Sequence, residues 1–175
     1  MLCLKAPQRS KRRMTDRLGS EATAAAGHLI ACALEDLRDW PGPVVLAPAA
    51  TADAGWLETS GYGGLEQVAQ RGATLGERIN HVDRALRSRG LERLLFIGTD
   101  CPALDRGYLE EADAALERAD AVLGPAADGG VVLMGARHEW PALGDLAWST
   151  PALLEDLRAR LLRHRWAIAS LGTLP

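Results

Sequence analysis

Short apolar runs alternate with helix-patterned segments along nearly the whole chain, and no other feature restricts its fold as strongly. Val44-Val45-Leu46-Ala47 lies between Pro43 and Pro48, the pattern of a short buried strand. Leu2–Ala6, Arg93–Ile97, Ala121–Leu123 and Val131–Met134 read the same way. Between them, Ser20 to about Trp40 is helical: Leu29, Ala33, Leu37 and Trp40 recur at spacings of three and four, with Ser20 as N-cap. Thr74-Leu75-Gly76-Glu77 is a capping box opening a helix whose apolar face is Leu75, Ile79, Val82 and Leu86, and Gly90 stops it. Tyr108, Leu109, Ala112 and Leu116 mark a helix after Asp105, and Trp148-Ser149-Thr150-Pro151 opens a last one with Thr150 as N-cap and Pro151 at the first helical position. The Ala/Gly/Thr-rich stretch 48–64 reads as loop. Strands alternating with helices of this length predict an α/β chain, a three-layer α/β/α sandwich with a mainly parallel sheet. With no internal repeat, linker or break in composition, residues 1–175 are expected to form a single domain.

Composition removes several alternatives. Of 175 residues, 47% are hydrophobic and 25% charged, which excludes intrinsic disorder. No apolar run approaches the ~20 residues a bilayer span requires, and Met1–Leu4 is too short for a signal-peptide core. Cys3, Cys32 and Cys101 are widely spaced and form no C-x-x-C pair, so neither a disulfide framework nor a structural zinc site is expected. The expectation is a soluble, reduced, cytoplasmic protein, with self-association left open. Net charge is −3, yet Arg9, Lys11, Arg12, Arg13 and Arg17 against Asp16 make a local +4. One basic segment on an acidic body is a poor nucleic-acid footprint and suits a small anionic ligand better.

In open α/β sheets ligands bind beyond the carboxyl ends of the strands. Three loops leaving such ends carry unusual chemistry. Lys5 to Arg13 follows the first strand and offers cations for a diphosphate. Gly98-Thr99-Asp100-Cys101-Pro102 sets Asp100 at a strand tip, where a carboxylate suits a hard divalent cation such as Mg²⁺ or Mn²⁺. In Gly124–Gly130, two glycines after Asp128 let backbone approach a ligand closely. Each loop also has a plain structural reading: the basic segment as a solvated loop or helix start, Asp100 as a turn cap, and Asp128-Gly129 as a hairpin turn. Cys101 reads as a buried small residue, and His28, His81, His138 and His164 lack ligand spacing. Arg158, Arg160, Arg163 and Arg165 read as a solvated helix face. No G-x-S-x-G, Walker A or G-x-G-x-x-G occurs, which lowers hydrolase, ATPase and dinucleotide oxidoreductase readings.

Six blocks in order resemble the bacterial nucleotide-diphospho-sugar transferase-like family of unknown function, which includes arsenosugar-biosynthesis-type glycosyltransferases. They are Lys5-Ala6-Pro7, Lys11-Arg12-Arg13-Met14 with Leu18-Gly19, Gln70 through Arg78, Ile97 through Leu104, Leu123 through Gly135, and Trp148-Ser149-Thr150. The resemblance implies a GT-A-type, Rossmann-like fold that binds a UDP-, GDP- or other nucleotide sugar with Mg²⁺ or Mn²⁺ and passes the sugar to an acceptor. It implies that Lys5, Lys11, Arg13, Arg78 and Thr99 face the nucleotide and its phosphates, and that Asp100 holds the metal. Asp128 would be catalytic, with Gly129, Gly130 and Trp148 on the sugar or acceptor side. The chain departs from the family pattern at Arg12, at Thr74, and at Val131-Val132, where a Tyr pair is usual. It also ends at Pro175, where the family commonly runs on into an acidic segment. Two alternatives stand beside this reading: a nucleotidyltransferase of the same fold acting on an anionic or phosphorylated acceptor, and a non-catalytic nucleotide-binding or partner module.

Overall fold

The computed structural model describes residues 2–4, 21–38 and 40–175. Among these residues, seven strands form one sheet: β1 (Leu2–Leu4), β2 (Val45–Pro48), β3 (Glu66–Gln67), β4 (Leu94–Ile97), β5 (Ala121–Pro125), β6 (Val131–Ala136) and β7 (Ile168–Ser170). Their order is β3-β2-β1-β4-β6-β5-β7. β6 runs antiparallel to both of its neighbours, and every other pairing is parallel. The described helices are α1 (Ala22–Asp36), α2 (Thr51–Thr59), α3 (Leu75–Arg87), α4 (Arg106–Ala115) and α5 (Leu153–Arg163).

Alternation along the strands divides the apolar side chains between two layers. Val45, Ala47, Phe96, Leu123 and Met134 face α3 and α5, where Ile79, Val82, Leu86, Leu157 and Leu161 meet them. Leu46, Ile97, Val122 and Leu133 face the other way, onto Ile30 and Leu34 of α1, Leu57 of α2, and Leu109 and Ala112 of α4. Strands covered on both faces must be apolar throughout, which is why these runs stand out in the sequence. The expected α/β/α sandwich is the observed fold.

Local signals are the ones that survive intact. Thr74 accepts a hydrogen bond from Glu77 N–H at 3.2 Å and Glu77 accepts from Thr74 N–H at 3.4 Å, completing the capping box. Asp105 caps α4 by accepting from Tyr108 N–H at 2.9 Å, and Gly90 takes φ +86° beyond α3.

Other expectations are corrected. Residues 48–64 are not all loop, since α2 lies within them. Its N-cap makes no side-chain bond, and Leu57, fully buried against the sheet, supplies packing that no apolar periodicity announces. The buried face of α1 is Ala26, Ile30 and Leu34, followed by Leu37, while Leu29 and Ala33 are only half-buried beside it. Ser20, its expected cap, lies outside the described residues. Leu75 is 40% exposed and does not share the face of Ile79, Val82 and Leu86. Helix α5 begins later than expected, with Ala152 as N-cap. Thr150 still turns the chain into it, donating to the Ala147 carbonyl at 2.8 Å, and Leu154 N–H donates to the Gly129 carbonyl at 3.1 Å. β3 and β7 were not anticipated, being two and three residues long. Among the described residues no helix is long and apolar enough to cross a membrane.

Candidate functional site

The register of β4, β5 and β6 brings two of the three suspected loops to one edge. Leu133 of β6 is level with Ile97 of β4 on one side and Gly124 of β5 on the other. Gly98 and Pro125 therefore pass that level on either side of β6, two strand spacings or on the order of 10 Å apart. On the far side of β4, Leu2 of β1 is level with Ile97, so Leu4 reaches about two residues beyond it at the same edge. Lys5, Lys11 and Arg13 lie outside the described residues.

In the loop after β4, Asp100 is exposed and Thr99 half-buried. A β-carbon on Gly98 would stand 2.7 Å from Asp100 Oδ1, so the carboxylate lies back over the glycine in space that only a glycine leaves. Leu104 N–H donates to the Cys101 carbonyl at 3.1 Å, closing the turn. Cys101 packs against the apolar cluster that includes Leu104 and Tyr108 but is only half-buried, less than the buried residue expected.

In the loop after β5, Asp128 serves the backbone as well as the edge. Its Oδ1 accepts from Gly130 N–H at 2.9 Å, and Ala126 N–H donates to the Gly130 carbonyl at 3.0 Å. Gly129 takes φ +85°, and a β-carbon there would collide with the carbonyl of Pro151. The turn is thus locked against the lead-in to α5, with Asp128 exposed at its tip.

The segment between β3 and α3 forms a further wall beside the ends of β1 and β2. Gln70 holds it there: its backbone N–H donates to the Pro48 carbonyl at 2.9 Å and its side-chain amide to the Ala47 carbonyl at 2.6 Å. Gly72 takes φ +136°, and Arg78 Nε donates to the Gly72 carbonyl at 3.0 Å. Glu77 also accepts from Ala73 N–H at 2.6 Å, which ties the residues ahead of the cap to the first turn of α3. Arg78 is left its terminal guanidinium nitrogens for a ligand. Trp148 donates its indole N–H to the Leu143 carbonyl at 2.8 Å, over Gly76, so its one donor is used within the chain.

Two features went unseen in the sequence. Tyr108 donates its hydroxyl to the Gly172 carbonyl at 2.7 Å, while Ala127 N–H donates to the Leu174 carbonyl at 2.8 Å, so the C-terminal residues border the Asp128 loop. Burial, with Glu111 and Cys101 adding to it, pushes the Tyr108 phenol up to about 12. Asp53, fully buried in the first turn of α2, was also missed, and its only sequence signal is an acidic residue near a helix start.

The edge suits a divalent cation shared with a ligand. No group of three His, Cys, Asp or Glu forms a cage among the described residues. Mg²⁺, however, is commonly held by one or two carboxylates together with substrate phosphates. Asp100, turned back over Gly98, is a donor of that kind.

A seven-stranded α/β/α sheet with β6 reversed and its glycine-rich turns at the carboxyl edge defines a nucleotide-diphospho-sugar transferase-like fold. The chain itself belongs to the family described as "Uncharacterized protein conserved in bacteria (DUF2064)", whose profile matches residues 31–150. No curated protein matches it. Among solved structures it is similar to a protein of Desulfovibrio desulfuricans G20, provisionally assigned as a nucleotide-diphospho-sugar transferase, with TM-score 0.88, 23% identity, and coverage of 98% of this chain and 78% of that one. A cytidylyltransferase from Leptospira borgpetersenii aligns with TM-score 0.58 and 12% identity over 98% of this chain and 74% of its own. The Rv0371c protein of Mycobacterium tuberculosis, in complex with manganese, aligns with TM-score 0.54 and 14% identity over 99% and 89% of the two chains.

Proposed function

We propose that the protein is a transferase that takes a nucleotide-diphospho-sugar as donor, with Mg²⁺ or Mn²⁺, and passes the sugar to an acceptor. The observation that carries this reading is the shared level of Ile97, Leu133 and Gly124, which puts the Asp100 and Asp128 turns at one edge about 10 Å apart. That gap accommodates a diphosphate on the Asp100 side and a sugar on the Asp128 side. Asp100 and Thr99 hold the cation and phosphate end, and the cation supplies charge stabilisation for the departing diphosphate. Arg78 offers its terminal nitrogens to the same phosphates. Asp128, with Oδ1 held by Gly130 N–H, presents Oδ2 to the acceptor hydroxyl and takes its proton as the new bond forms. Gly130 lets the sugar approach the backbone, with Trp148 as an apolar wall. Lys5, Lys11 and Arg13 belong to this reading through the sequence resemblance.

The likeness to a cytidylyltransferase favours a second reading, transfer of a nucleotidyl group to an anionic acceptor. Calorimetric titration with UDP, GDP, CDP and TDP, and with the matching triphosphates, each with and without Mn²⁺, separates the two. Cation-dependent diphosphate binding that Asp100→Ala abolishes supports sugar transfer. A strong triphosphate preference supports nucleotidyl transfer, and absence of binding under every condition overturns both.

A further inference from the structure

The two outermost strands of the sheet differ in how they are guarded. At one end β3 is only two residues long and carries Glu66, which is paired with Arg89. At the other end β7 reads Ile-Ala-Ser, with neither a charge nor a proline to discourage pairing with another chain. The Ala167 carbonyl accepts from Ala121 N–H at 3.1 Å, and Leu171 N–H donates to the Leu123 carbonyl at 3.0 Å. Backbone groups alternate sides along a ladder, so Ala169 faces β5 with them, while Ile168 and Ser170 turn their N–H and C=O groups outward. Among the described residues nothing bonds those four groups. Helix α5 stands over this edge. Arg160 donates to the Ala142 carbonyl and, at 2.7 Å, to Asp145 Oδ2, so its flank of α5 faces the segment that Asn80 of α3 holds. Leu154, Arg158 and Leu162 lie roughly half a turn away round the helix, on the flank toward the free edge of β7. Leu162 is 60% exposed there.

We propose that the β7 edge is where a second copy of this chain docks, the two β7 strands pairing antiparallel about a two-fold axis at Ala169. The edge is complementary to itself. Ile168 of one copy stands opposite Ser170 of the other, and residues so placed exchange both of their backbone bonds. The two-fold repeats the pair, so all four outward groups of each copy are satisfied, with the small Ala169 side chains at the centre. Such an axis is perpendicular to the sheet, so both α5 helices lie on one face of a joined sheet and run antiparallel. Charge favours this arrangement. Leu154 N–H on the Gly129 carbonyl puts the first turn of α5 toward the carboxyl edge, and Trp166 N–H on the Leu161 carbonyl puts its last turn toward the amino edge. Glu155 and Asp156 make the first turn acidic, and Arg160 and Arg163 make the last turn basic. Antiparallel neighbours bring the acidic end of each helix toward the basic end of the other. The same pairing covers Leu162. An isologous contact closes at two copies and leaves no free β7 edge to propagate. The proposal is independent of the reading of the carboxyl edge.

Analytical ultracentrifugation of the full chain at concentrations up to about 1 mM is the test, and a reversible dimer is expected. Ser170→Pro deletes an N–H that faces outward, so it removes two of the four bonds between copies and none to β5. Leu162→Lys leaves the strand untouched and puts a cation on the flank that already carries Arg158. Each variant should raise the dimer dissociation constant by roughly tenfold or more. Hydrogen exchange at the Ile168 and Ser170 amides of the wild type should slow as protein concentration rises. Should Ser170→Pro fail to fold, Leu162→Lys and the exchange measurement decide. A monomer throughout the range overturns the proposal, as does a dimer that a folded variant leaves as tight as the wild type. Protection of the two amides that is the same at every concentration also overturns it, because the edge would then be covered within one copy.

Discussion

Tyr108 donates its hydroxyl to the carbonyl of Gly172 at 2.7 Å, joining the first turn of α4 to the C-terminal segment that borders the Asp128 loop. Gly124 makes room for it, since a β-carbon there would stand 2.7 Å from the Tyr108 hydroxyl oxygen. Tyr108→Phe should cost about 1 kcal/mol, the net worth of one hydrogen bond. The phenol titrates near 12 in the folded chain against 10.0 for an ordinary tyrosine. A raised folded value means that its contribution is complete below pH 10 and lost as pH rises through about 12. Urea midpoints measured across that window should fall more steeply for the wild type than for Tyr108→Phe.

Asp128 has two roles that substitution can separate. Asparagine keeps an Oδ1 to accept from Gly130 N–H, so Asp128→Asn should leave stability within about 0.5 kcal/mol. Asp128→Ala loses the bond and should cost about 1 kcal/mol. Both remove the carboxylate and should depress sugar transfer by roughly 10²-fold or more, as loss of a general base does. Turnover that follows stability, with Asn active and Ala weak, would reduce Asp128 to a turn residue.

Gly129→Ala should be costly for backbone reasons. The position needs φ +85°, and the added carbon meets the Pro151 carbonyl. Left-handed strain of about 1–2 kcal/mol combines with displacement of the residues leading into α5. Chemical denaturation should show a loss of at least about 2 kcal/mol. A neutral result would mean that the turn relaxes freely and does not position Asp128.

Arg87 holds the amino edge together. It donates to Asp83 Oδ1 at 3.0 Å and to the carbonyls of Glu92, Arg137 and Ala136 at 2.7, 3.0 and 3.1 Å. Asp83 is fully buried, and burial pushes its carboxyl up against the opposing pull of Trp140 N–H and Arg87. Arg87→Met leaves that carboxylate without its cation and should cost about 3–5 kcal/mol near neutral pH. A carboxyl raised in the folded state stabilises most below its ordinary range and loses that contribution as pH rises. The deficit of Arg87→Met should accordingly shrink in acid, which stability curves at acid and neutral pH will check.

What the sequence determined by itself is what neighbouring residues decide. Thr74 and Glu77 are three residues apart, Asp105 and Tyr108 likewise, and their bonds close within one turn, so the starts of α3 and α4 were legible. The apolar runs around Leu46, Ile97 and Val122 declared strands covered on both faces, because water is excluded from each side of them. Helix α2 was not legible, since Leu57 is buried by the sheet and not by a periodic partner in its own segment. The same holds for β7, which exists because β5 offers it a ladder. The site divides along this line. Glycines and carboxylates at the strand ends marked Asp100 and Asp128, but their common edge depends on Leu133 being level with both Ile97 and Gly124. Gln70 on the end of β2 and Tyr108 on Gly172 depend in the same way on residues distant in the chain. Only packing brings those residues together, so only the tertiary structure could decide them.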